Sequence, residues 1–270
     1  SAWETVEMFF NAGIERIECS AGLYDPDNQD NLTRLSGEVE LRIHNYFPPP
    51  KDPFVLNLAS MDLSTATRTT EFIKESISFA RILNQPFYSF HGGFLFDPIV
   101  TELGKKFSST HLQDRDESLD LFIERLNDLA LYAQNEGVSL LVENNVLTKG
   151  NLEFFGQNPL LLVHLEECEI LVNNTPDNVT LLVDVGHLKV SSESLSFSSI
   201  EFLNRTKSYT KAYHISDNDG LNDTNSKVTE DSWFWPHMRK GLDYYSLEIY
   251  DLAIDELKQQ INLTGKILSG

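Results

Sequence analysis

Residues 181–190 (LLVDVGHLKV) constrain this chain most: the apolar run from Leu181 to Val183 passes at once into Asp184, Val185, Gly186 and His187. An uninterrupted apolar run suits a strand buried on both faces, as in a parallel sheet. The carboxylate and imidazole then stand at the strand's C-terminal end. The pattern recurs. Residues 138–145 (VSLLVENN) bring Glu143 to such an end, 211–216 (KAYHIS) bring His214, and 245–250 (YSLEIY) bring Glu248. Upstream, 41–44 and 87–91 close on His44 and His91. Six apolar runs therefore end on residue types that ligate metals, all at the same end of the strand.

Between these runs lie helical patterns, and the alternation predicts one parallel-sheet domain covering 1–270. Amphipathic spacing predicts helices over 3–13, 67–84, 116–136, 158–172, 199–209 and 252–261, with 116–136 the clearest and Gly137 as its stop. Strands are expected at 14–20, 39–47, 87–92, 138–145, from 179, 211–216 and 245–250. Residues 21–37 read as polar loop, 54–59 as an apolar loop segment, the stretch after 190 as a Ser-rich turn, and 217–242 as a long polar loop. At 270 residues the chain has the size of a (β/α)8 TIM barrel, usually about 250 residues. The series holds seven strands and begins with a helix, so the expectation is such a barrel with its first strand missing or incomplete at the N-terminus.

Composition narrows the partners. A formal charge of −20, from 41 acidic and 21 basic residues, repels a phosphate backbone and weighs against nucleic acid. No apolar run approaches the roughly 20 residues that cross a bilayer, and no signal-peptide pattern opens the sequence. The expected compartment is the cytoplasm, with Cys19 and Cys168 as reduced, buried thiols.

Glu143, Asp184, His214 and Glu248 carry the chemistry. Three carboxylates and one imidazole at a common strand edge repel each other unless a cation sits among them, and this mixed O/N set suits a divalent metal ion such as Mn, Mg, Co or Zn. His187 reads either as a substrate or second-metal contact or as a loop histidine bonded to a carbonyl. His44 and His91 could join Glu143 at a second metal or bond substrate hydroxyls, and Gly92-Gly93 lets a ligand approach the backbone. His111, His164 and His237 lack a strand-end context. In the 217–242 loop, Trp233 and Trp235 could stack on a sugar ring while Arg239 and Lys240 hold an anionic substituent. A hydrophobic plug or a homo-oligomer contact explains the same loop equally well. Lys149 and Lys189 are weaker candidates for the anion.

The strand ends, in this order, resemble the xylose isomerase-like TIM-barrel superfamily. VENN at 142–145, DVGH at 184–187, HISDNDG at 214–220 and LEIY at 247–250 carry the likeness, and NLAS at 57–60 and HGG at 91–93 are similar to its endonuclease IV branch. That superfamily includes ketose 3-epimerases, other sugar (phosphate) isomerases, inosose dehydratases and the endonuclease IV enzymes. The resemblance implies that Glu143, Asp184, His214 and Glu248 form the shared metal site. It also implies that Glu143 and Glu248 move a proton off and onto the carbon beside a carbonyl, through a metal-stabilised enediolate. In the endonuclease branch it implies a zinc held by His44, His91 and Glu143. A second would be held in part by Asp184, His214 and Glu248, and a third by His187 with an Asp-x-His pair. Here that pair reads Asp223-Thr224-Asn225, without its histidine, and the arginine that epimerases carry shortly after His214 is absent near Gly220. The expected function is a cytoplasmic, divalent-metal-dependent isomerase or epimerase of a sugar or sugar derivative. The alternatives are an endonuclease IV-like zinc phosphodiesterase and a non-catalytic sugar-binding or assembly protein on a degenerate barrel.

Overall fold

The computed structural model describes residues 1–102 and 111–269. The chain divides into two compact units, Ser1–Leu141 with Asn174–Val179, and Val142–Asn173 with Thr180–Gly270. Seven strands occur among the described residues, as expected. No helix among them is long and apolar enough to cross a membrane.

The first unit holds α1 (Ala2–Asn11), β1 (Arg16–Cys19), α2 (Asn28–Leu35), β2 (Glu40–Ile43), α3 (Leu63–Ile82), β3 (Phe87–His91) and α4 (Arg115–Glu136). β1 and β2 pair in parallel, with Cys19 opposite Ile43, and a parallel bridge joins His44 to Ser89 on β3. α3 starts before its apolar stripe because Asp62 caps it, accepting from Thr65 N at 2.8 Å. Phe72, Ile73, Ile77 and Ala80 of α3 and Leu119, Phe122, Leu126 and Leu129 of α4 are buried, as their spacing predicts. α2 corrects the polar-loop reading of 21–37. Its sequence, NQDNLTRL, offers only Leu32 and Leu35 as an apolar pair, too few to set a period, and their burial stabilises the turn.

The second unit takes in the end of β4 (Ser139–Glu143), α5 (Lys149–Phe155), α6 (Leu165–Asn173), most of β5 (Val179–Asp184), α7 (Val185–Leu195), α8 (Ser199–Thr206), β6 (Thr210–Ile215), β7 (Tyr245–Leu247) and α9 (Ile254–Ser269). β5, β6 and β7 lie side by side in parallel. Two expectations change here, and one helix is added. The helix expected over 158–172 begins only at Leu165. The buried stretch Leu160 to Val163 before it is loop, held by Leu162 N donating to Glu167 Oε2 at 2.6 Å and Asn145 Nδ2 donating to Leu161 O at 2.8 Å. α5 is a short helix closed by Gly156 at φ 72°. α7 follows β5 with no turn between, so His187 stands in a helix's first turn rather than in a loop. VGHLKVSSESL is enclosed along most of its first two turns, so it lacks the one-sided stripe by which a surface helix is read.

Gly137 ends α4 at φ 73°, a left-handed conformation, and a Cβ there would meet nothing within 4 Å. Gly137→Ala is therefore expected to cost only its backbone penalty, about 1 kcal/mol. For a chain this size that lowers the thermal midpoint by roughly 2–4 °C, measurable by calorimetry; an unchanged midpoint would contradict the cap.

Candidate functional site

Strand register builds the site. Asp184 ends β5 and is the parallel partner of His214 on β6, so the two side chains leave the sheet together. Leu247 of β7 pairs with Ile215, and Glu248 N donates to Ile215 O at 3.2 Å, which carries Glu248 alongside. Glu143 ends β4. The structure brings all four together, with ligand atoms within 4.8 Å of one another. His214 Nδ1 is the hub, 3.1 Å from Glu143 Oε1, 3.1 Å from Glu248 Oε2 and 3.9 Å from Asp184 Oδ2. Glu143 and His214 are 0% exposed and Asp184 1%, whereas the Glu248 side chain is 23% exposed.

Asp184 divides its oxygens. Oδ1 caps α7 by accepting from His187 N at 2.7 Å, while Oδ2 faces the cluster. Asn144, not singled out from the sequence, locks this arrangement: its Nδ2 donates to Asp184 O at 3.1 Å and its Oδ1 accepts from Asp184 N at 2.8 Å. Its place beside Glu143 at a strand end is the signal that could have found it. His187 lies 2.9 Å from Asn144 O through Nδ1, and its Nε2 lies 3.3 Å from Asp223 Oδ2. His187 thus sits between the cluster and the long loop.

The charge balance follows. Burial pushes Asp184 up to about 7, and the neighbouring Glu248 and Glu143 add to it against the pull of His187 and His214. For His187, burial acts downward, but Asp184, Asp223 and Glu143 outweigh it and hold the imidazole well above its ordinary range. Burial acts upward on Glu248, yet its contact with His214 takes it down to about 2. Carboxylates about 4 Å apart repel by roughly 4 kcal/mol at an effective dielectric of 20. A single Nδ1–H cannot point straight at two carboxylates at once. A divalent cation suits this oxygen-rich donor set, and Glu143, Asp184, His214 and Glu248 are the residues that could hold it.

In the first unit, His44 is buried, with Nδ1 2.9 Å from Ser89 Oγ, and its ring meets that of His91 edge-on at 5.3 Å. A Cβ on Gly93 would lie 2.7 Å from Ala59 Cβ, so there the glycine admits loop packing. Trp235, Arg239 and Lys240 are not brought to the cluster. Arg239 Nη1 reaches Ser208 O and Thr210 O at the start of β6, and Lys240 Nζ donates to Ile267 O near the end of α9. Trp235 and Lys240 line an open cleft of about 540 Å³ with Lys207, Pro236, Met238 and Ile267. Trp233 packs edge-on against buried Phe234. Lys189 Nζ is taken by Asp217 Oδ1 at 2.7 Å, and Lys149 begins α5. His164 directly precedes α6 and packs against Phe197, His237 lies in the long loop, and His111 is exposed.

The sequence matches the family model described as "Xylose isomerase-like TIM barrel" over residues 3–248, and the chain belongs to that family. Its fold class is therefore the TIM barrel. No curated protein matches it in sequence. Among solved structures, it is similar to a D-tagatose 3-epimerase-like protein, with 20% identity, a TM-score of 0.67 and 93% of this chain and 90% of that one covered. It is also similar to D-psicose 3-epimerase from Clostridium cellulolyticum H10, solved with D-tagatose (14% identity, TM-score 0.63, 98% and 88% covered). A third is the IOLI protein with a binding zinc atom (17% identity, TM-score 0.66, 98% and 91% covered). At these identities the likeness establishes the fold.

The pKa directions give a pH test. Asp184, raised from an unfolded value near 3.9 to about 7, destabilises the metal-free fold progressively as pH rises through that window. His187, raised, contributes stability below about 6.5 that is lost as pH climbs through its folded value. The thermal midpoint of chelator-treated protein is thus expected to fall between about pH 5 and pH 8. Mn²⁺ at a hundredfold over its Kd at about pH 8 should restore about 2.7 kcal/mol, and the same concentration should restore less at about pH 5, where Asp184 is protonated. A flat profile with no response to Mn²⁺ or Zn²⁺ would sink the cation site.

Proposed function

We propose that this chain is a divalent-metal-dependent isomerase or epimerase acting on a sugar or sugar derivative. The observation that carries the reading is the meeting of Glu143 and Glu248, from separate strands, on one nitrogen of His214 at 3.1 Å each. A substrate held at that point has a carboxylate from each strand within reach of its carbon. Glu248 is the cluster residue open to solvent and keeps its charge at neutral pH, so it takes the proton from the carbon beside the carbonyl. Glu143, enclosed beside His214 and His187, returns a proton from the other side. Asp184 and His214 hold the site's shape. A bound divalent cation would supply Lewis acidity against the negative charge that develops on the substrate's oxygens. The structural neighbours include a D-psicose 3-epimerase solved with D-tagatose, and both sugars are ketoses of the kind this chemistry requires, which supports the substrate class.

A second reading, a zinc phosphodiesterase of the endonuclease IV kind, draws support from the 3.3 Å approach of His187 to Asp223. Asn225 in place of a histidine, and the charge of −20, count against it.

Glu248→Gln is expected to keep the fold and lower turnover about a hundred- to ten-thousand-fold. The readout is deuterium uptake from D₂O at the carbon beside the carbonyl across a panel of ketohexoses and ketopentoses. Equal uptake by the variant refutes the assignment, and cleavage of abasic-site DNA with no uptake by the parent favours the second reading.

A further inference from the structure

The strand-end motif LEIY closes on a tyrosine that the proton transfer above leaves without a role. Tyr250 Oη donates to Glu248 Oε1 at 3.1 Å, while the other oxygen of that carboxylate, Oε2, lies 3.1 Å from His214 Nδ1. The two oxygens therefore have separate neighbours, a phenol on one side and the cluster on the other. Ring burial does not explain the placement, because Tyr250 is 60% exposed.

The backbone holds the tyrosine there. Tyr250 N donates to Asn225 O at 3.1 Å, which ties the exit of β7 to the loop segment carrying Asp223. Asp251, the next residue, takes φ 57°, a conformation that side-chain-bearing residues seldom adopt. Glu248 needs such a partner more than its neighbours do. It follows a strand of three residues, and its side chain is the most exposed of the four. Asp184, by contrast, is fixed by its cap to α7 and by Asn144.

We propose that Tyr250 is a positioning residue for Glu248: by engaging Oε1 it turns Oε2 into the cluster, so that Glu248 offers one defined oxygen to a divalent cation. The inference rests on the metal-site reading above. Hydrogen-bond partners that orient a ligating carboxylate characteristically affect metal affinity about ten- to a hundredfold. The solvent exposure of Tyr250 puts the expectation at the low end.

The test measures Mn²⁺ affinity, from the electron paramagnetic resonance signal of free Mn²⁺, for the parent chain, Tyr250→Phe, Glu248→Gln and the double variant. Tyr250→Phe is expected to raise the Kd about tenfold while its thermal midpoint in chelator stays near that of the parent. On the Glu248→Gln background the same change should add nothing, since a residue acting through Glu248 has no effect once that carboxylate is gone. Parent-like affinity in Tyr250→Phe overturns the proposal, as does an equal loss on both backgrounds. If the parent chain fails to bind Mn²⁺, or Glu248→Gln binds as tightly as the parent, the metal-site reading itself falls and this inference with it.

Discussion

Like charges in a dry place are what the second unit is arranged around. Glu143, Asp184 and Glu248 bring three carboxylates to one imidazole, His214, and three of those four side chains are almost wholly sealed from water. Such a group is tolerable only when something positive lies within it, or when an acid keeps its proton. The upward push on Asp184 and the downward pull on Glu248 are two local responses to that one problem.

The fold meets the constraint by giving acids two duties. Asp184 uses one oxygen to cap α7, at the end where the helix dipole favours negative charge, and turns the other to His214. Glu248 likewise divides its oxygens between Tyr250 and His214. Asn144 binds both the N–H and the C=O of Asp184, so the end of β4 and the end of β5 are locked to each other by one amide. Scaffold and site are therefore the same hydrogen bonds, and a change at one is felt at the other.

Much of this was legible in the sequence, for a reason visible in particular residues. Leu181 to Val183 form a short apolar run that stops abruptly at a charged group, and such stops mark strand ends whatever the surroundings. α4 was legible because its stripe repeats over many turns and a glycine closes it. α2 and α5 are too short to show a period, and α7 is too enclosed to show a polar face. The loop aromatics illustrate a different limit. Trp235 and Arg239 have the right chemistry for a ring and an anion, yet the chain returns Arg239 to the start of β6, where it meets Thr210, while His214 stands at the strand's other end.

The sequence by itself determined the kind of elements and which end of each strand would carry acids and imidazoles, because burial and periodicity are local properties of the chain. The tertiary structure alone decided which of those residues meet. Asp184 faces His214 because of the β5–β6 register, and His187 meets Asp223 because a polar loop folds back over a helix. Register and loop return are set by contacts between residues dozens of positions apart, and no window of sequence contains them.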